Sequence, residues 1–186
     1  MSNLKNTPGL TNLIPEITTI PYPLYLSLQG KYFVGSADNI AFGRGKSAWA
    51  GLINPRNSGV NLHLYVWTAT NLGGPPLLAE IWFNAVPKGC PVESPLVTPA
   101  NTTISPPPKP RVRLFSAGNV NGSPTGGVNA YDRLVPASST VADEEDGKFI
   151  FPPGGSFIIS LSAPSTPHTL TAGTVAFGWY EEKIDS

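Results

Sequence analysis

Charge is what this chain has least of. Of its 186 residues only 12 are Lys or Arg and 12 Asp or Glu, and they cancel to a formal net charge of zero. Soluble monomers keep about a quarter of their residues charged, and a net charge near zero favours association. A surface so poor in charge is one suited to meeting other protein. The balance also argues against nucleic acid, whose phosphates need a clustered Lys/Arg face. The one basic run, Lys109-Pro110-Arg111-Val112-Arg113, is short and reads as the solvated start of a strand.

Cysteine is almost missing. A single Cys90 excludes an internal disulfide framework and a cysteine-based zinc site within one chain. It lies in the turn Pro87-Lys88-Gly89-Cys90-Pro91, where it is either a free thiol in a reducing cytoplasm or a crosslink formed between copies after assembly. Long apolar runs are missing too. Pro8, Pro15, Pro21 and Pro23 break up the start, so no secretory leader is expected. No stretch approaches the ~20 apolar residues of a membrane span. The expectation is a chain made in the cytoplasm, for which the sequons at Asn101 and Asn121 carry no meaning. Helical periodicity is the last absence, since no window of about a dozen residues keeps a 3.6-residue period free of Gly and Pro.

Turn formers and aromatics are abundant instead. Nineteen Gly and 21 Pro accompany four Trp, six Tyr and eight Phe. Disordered chains lack such aromatics, so a folded domain rich in tight turns is expected. Residues 1–23 stand apart as an extended apolar arm, with Leu10, Leu13, Ile14, Ile17 and Ile20 set among prolines that defeat a helix.

From Leu24 onward the pattern has period two. Leu24, Leu26 and Leu28 alternate with Tyr25 and Ser27 ahead of Gln29-Gly30, which predicts a strand followed by a turn. Ser47–Ile53 ends at the turn Asn54-Pro55-Arg56-Asn57-Ser58-Gly59. In the clearest strand, Val60, Leu62, Leu64 and Val66 point one way and Asn61, His63, Tyr65 and Trp67 the other. Residues 86–110, with Pro87, Pro91, Pro95, Pro99 and the Pro106-Pro107-Pro108 run, read as a long connection of the kind that forms interfaces. Strands follow near 112–115, 128–135, 148–151, 156–162 and 173–181. Short strands with turn signals and no helix predict an all-β fold, a single jelly-roll-like β-sandwich of about eight to ten strands over residues 24–186, carrying the N-terminal arm.

Candidate chemistry is thin. Asp143-Glu144-Glu145-Asp146-Gly147 reads as a solvated acidic loop, with Ca²⁺ binding as the alternative; adjacent carboxylates do not converge on one ion, and the spacing is not that of an EF-hand. His63 and His168 have no metal-type neighbours. No Gly-x-Ser-x-Gly elbow frames a serine. Gly43-Arg44-Gly45-Lys46-Ser47 lacks the first glycine of a phosphate loop, because Ile40 occupies that position. No enzyme, cofactor or metal is expected. The four tryptophans fall on predicted strands as core or interface residues, with Tyr65 and Trp67 on the more polar stripe as the candidate platform for a glycan.

Tyr32-Phe33-Val34-Gly35-Ser36, Trp49-Ala50-Gly51-Leu52 with Asn54-Pro55, and Asn57-Ser58-Gly59-Val60-Asn61-Leu62 resemble a family of uncharacterised small β-sandwich proteins of spore-forming Firmicutes, over roughly residues 30–180. These are turn and strand signatures, not active-site signatures. An apolar arm ahead of a jelly roll also resembles, more distantly, the subunits of bacterial endospore appendages. That likeness implies an arm that docks in a neighbouring subunit and a location at the spore surface. In that family cysteines of the arm crosslink the fibre, whereas residues 1–23 here contain none. The expectation is a non-enzymatic, self-assembling structural protein, a fibre or coat subunit joined head to tail. The alternative is a glycan- or surface-ligand-binding module.

Overall fold

The computed structural model describes residues 19–163 and 169–184. It is a two-layer antiparallel sandwich. The elements are α1 (Tyr22–Leu28), β1 (Tyr32–Gly43), β2 (Ser47–Ile53), β3 (Val60–Asn71), β4 (Leu77–Phe83), β5 (Val92–Glu93), β6 (Val97–Pro99), β7 (Arg113–Val120), β8 (Val128–Val135), β9 (Thr140–Phe151), β10 (Ser156–Ser162) and β11 (Leu170–Lys183). One sheet runs β6-β1-β11-β3-β9 and the other β5-β7-β2-β10-β4-β8. Without β5, β6 and β7, eight strands remain. The first pairs with the last, and successive strands alternate between the sheets except β4 and β8, which pair within one, and this is the winding of a jelly roll.

Alternation builds the core. Leu62, Leu64, Trp67, Val175, Phe177 and Trp179 of one sheet meet Ala50, Leu52, Phe157, Ile159, Leu161 and Ile81 of the other, all buried. Strands β2 and β10 lie inside their sheet and are covered on both faces, so nearly every residue is buried. A second cluster, Trp49, Ala117, Val120 and Ile158, covers the outer face of that six-stranded sheet. There the Trp49 indole N–H donates to the Lys88 carbonyl at 2.7 Å. The first part of the proline-rich connection after β4 is thus folded over the chain's own sheet.

Two expectations are corrected here. Residues 24–28 are helical, not a strand. Pro21 and Pro23 suit a helix start, and Gly30 at φ +68 ends it, with Gly30 N–H donating to Ser27 and Lys31 N–H to Leu26. Of the three alternating leucines only Leu26 is buried. The acidic segment 143–146 is not a loop but part of β9, the long outer strand of the five-stranded sheet. Its side chains alternate: Glu144 and Asp146 are exposed, while Glu145 turns in under the sheet edge and is buried.

Candidate functional site

The outer face of the five-stranded sheet is where unexplained features concentrate. Its outward row nearest α1 is aromatic. Tyr180 of β11 stacks on His63 of β3 at 4.4 Å and meets the edge of Tyr22 at 5.8 Å. Tyr32 of β1 meets the edge of Tyr65 at 5.7 Å. Burial pushes the Tyr32 phenol up to about 12, with Tyr65 and Glu144 adding to the rise. Burial, then Asp146 and Glu144, raises Tyr65 as well. An anion on either ring is therefore disfavoured, and both serve as neutral hydrogen-bonding surfaces at physiological pH. The His63 ring lies between the Gly147 carbonyl at 3.2 Å and the Glu182 carboxylate at 3.1 Å.

Beyond that row the face opens into a shallow apolar trough of about 370 Å³. Val34 of β1, Gly178 and Ala176 of β11, Val66 of β3 and Leu96 form its walls and floor. Gly178 makes the depression: a Cβ there would stand 2.6 Å from the Tyr32 hydroxyl and 2.7 Å from Val66. Val34 and Leu96 expose large apolar side chains, Leu96 to 49%. The contrast with the other sheet is direct, since that outer face is covered by residues 85–91, whereas here α1 reaches the His63–Tyr180 end and the trough beyond it is bare among the described residues.

The expected site residues scatter. Ile20, at 43% exposure, leads into α1 beside this face; Leu10, Leu13, Ile14 and Ile17 lie outside the described residues. Tyr65 is half-buried against Tyr32, as an outward residue. Trp67 is not its neighbour on the surface: it is fully buried, and its indole N–H donates to Glu145 at 3.3 Å. The cause is a bulge. The β3–β9 register shifts between Leu64 and Val66, and the β3–β11 register shifts opposite the same place. One extra residue reverses every later side chain, sending Val66 and Thr68 out and Trp67 and Ala69 in. Strict alternation carried across position 65 cannot show this.

Two buried carboxylates were missed by sequence reading, and both are structural. Glu145 accepts from Trp67 and from the Tyr131 hydroxyl and pairs with Lys148. Glu181 accepts the N–H groups of Arg111 and Val112 at 2.9 Å and lies 3.4 Å from the Trp179 indole nitrogen, tying the connection before β7 to β11. Burial raises its carboxyl pKa, against the lowering effect of those donors. Donors that the fold brings up make each burial tolerable, Trp67 and Tyr131 for Glu145 and the Arg111 and Val112 N–H groups for Glu181, and all of them lie far from their carboxylate in the chain. Among the described residues, no three His, Cys, Asp or Glu side chains converge as metal ligands. Cys90 is exposed. No described helix is long and apolar enough to cross a membrane.

Residues 10–186 match the family described as a family of unknown function, DUF6143, and the chain belongs to it. No curated protein and no solved structure matches it.

Proposed function

We propose that this protein is a non-enzymatic structural subunit that assembles with copies of itself, the apolar arm of one copy docking in the outer trough of the next. The bare trough beside the aromatic row is the observation that supports the reading most. The arm is its occupant on chemical grounds. Leu10, Leu13, Ile14, Ile17 and Ile20 supply aliphatic side chains, a lined apolar depression accepts them, and each buried Leu or Ile contributes roughly 1.5–3 kcal/mol. A second copy is preferred to the chain's own arm because zero net charge, with few charges of either sign, leaves little repulsion between copies. Arm-into-neighbour contacts are heterologous and build rings or filaments. A spore-surface location is the setting that the resemblance implies.

The test is negative-stain microscopy with light scattering on the full chain, a variant lacking residues 1–18, and Leu96→Arg. The deletion ends before α1, which starts at Tyr22 and buries Leu26. Assemblies in the full chain that disappear in both variants, with melting temperatures retained, support the reading. Single copies in all three samples overturn it. A full-length monomer whose deletion lowers its melting temperature assigns the arm to its own trough.

A glycan-binding reading keeps one observation: Tyr22 and Tyr25 are exposed and stacked at 6.2 Å. It has lost Trp67. Calorimetric titration with soluble polysaccharides, repeated on Tyr25→Ala, decides it; no heat in either removes it.

A further inference from the structure

Few charges remain on this molecule, and they are sorted. Half of its acidic residues gather where the two outer strands β8 and β9 run side by side: Asp143, Glu144, Glu145 and Asp146 on β9, Asp132 on β8, and Glu80 directly across from Asp132 on β4. Among the described residues, only Arg133, paired with Asp143, and Lys148, paired with Glu145, oppose them there. Glu80 and Asp132 are like charges in directly opposed positions, an arrangement that costs stability within one copy. Burial, and then Asp132, raise the Glu80 carboxyl pKa.

The cations collect elsewhere. Lys31, Lys109, Arg111 and Lys183 line one pocket of about 130 Å³ at the start of β1 and the end of β11. That is a third of all Lys and Arg in the chain. Arg111 is held in place by a bond from its guanidinium to the Ser58 carbonyl at 2.6 Å. The three lysines are exposed and have no carboxylate partner within salt-bridge distance among the described residues. Glu181, the one acid among the described residues of the pocket, is spent on backbone N–H groups. Strand β1 stands three places from β9 in the sheet, roughly 14 Å at about 4.8 Å per strand, so the two regions are separate patches.

We infer that the partner of the basic pocket is the acidic β9 edge of a second copy, so that copies meet head to tail. This rests on the self-assembly reading above and adds to it the second contact and its polarity. A 12-residue outer strand would ordinarily invite a β9 of another copy to pair with it. Four consecutive acidic residues repel that isologous pairing, while the basic pocket attracts the same edge. Exposed lysines without a carboxylate partner on one region and an acid excess on another are complementary surfaces for two copies. The result is a heterologous contact with one direction, which propagates.

The experiment uses the full chain in sedimentation velocity at about 0.1 M and about 1 M NaCl, where the Debye length falls from ~10 Å to ~3 Å. Two exposed double variants accompany it, Lys31→Glu with Lys183→Glu, and Glu144→Lys with Asp146→Asn. Asn suits the left-handed backbone at position 146, φ +52. The wild-type chain is expected to assemble at low salt and dissociate at high salt. Each variant alone should sediment as single copies, with its melting temperature within a few degrees of wild type. Mixed in equal amounts they should assemble again, because each reversed surface then meets its complement. Assemblies indifferent to salt and to both reversals overturn this contact and leave self-assembly standing. Folded variants that fail to rescue each other overturn it as well. A wild-type chain that stays single at both salts overturns the contact together with the self-assembly reading.

Discussion

Replacing Gly147 by Ala should push Tyr180 out of its place in the outer aromatic row, and its cost can be separated into two parts. Gly147 lies at φ +74 in the β9 bulge, and a Cβ there would stand 2.6 Å from both Cε1 and the hydroxyl of Tyr180. Gly45, at φ +75, has the same backbone conformation and nothing within 4 Å of its Cβ position. Gly45→Ala therefore measures the backbone cost alone: about 1–2 kcal/mol for a left-handed residue, less about 0.4–1 kcal/mol recovered from the unfolded chain. Gly147→Ala carries the same terms and must also displace the Tyr180 ring. That ring has two aromatic partners, His63 and Tyr22. At roughly 0.5–1.5 kcal/mol for each pair, the extra loss is about 1–3 kcal/mol. A chain of this size loses about 2–4 °C per kcal/mol, so Gly147→Ala should melt about 2–12 °C below Gly45→Ala. Differential scanning calorimetry of both variants against wild type reads the difference directly. Equal losses would refute the reasoning, because they would mean that the Tyr180 contact with the bulge contributes nothing.

Two further outcomes follow from single residues. The Glu181 carboxyl has its pKa raised by burial above the ordinary 4.5, so the folded state holds the proton more tightly than the unfolded one. Its contribution is then lost as pH rises from about 4.5 through the raised value, and Glu181→Gln, which cannot ionise, should gain stability relative to wild type across that window. A constant difference between the two melting curves from pH 4 to 8 would contradict the assignment. Cys90 is exposed in its turn, so one thiol per chain should react with a thiol reagent within minutes under native conditions. Labelling that requires denaturant would place it under cover, either within the fold or between copies.

The β-sandwich was legible because burial on one face of a strand imposes a period of two, and that period is a local property. Val60–Leu64 shows it, and so do Val175, Phe177 and Trp179, which alternate along β11 and point inward. Turn residues such as Asn54-Pro55 and Gly154 likewise act within a few positions. The bare trough was not legible. Its walls come from β1, β3, β11 and the segment before β6, far apart in the chain, and its floor is a glycine whose role appears only against Tyr32 and Val66. The helix at Tyr22–Leu28 was misread because three alternating leucines satisfy a strand pattern, while the proline start and the glycine stop outweigh it. Trp67 shows the limit most clearly. A single bulge at Tyr65 reverses the parity of everything after it, and whether a strand bulges depends on its partners in the sheet, not on its own residues. By itself, then, the sequence determined the fold class, the apolar and proline-rich composition of residues 1–23 and the scarcity of charge, because each is a sum over local composition and spacing. The tertiary structure alone decided which face lies bare, which aromatics are inside, and how the few charges divide between a basic pocket and an acidic edge, because each of these is a relation between strands distant in the chain.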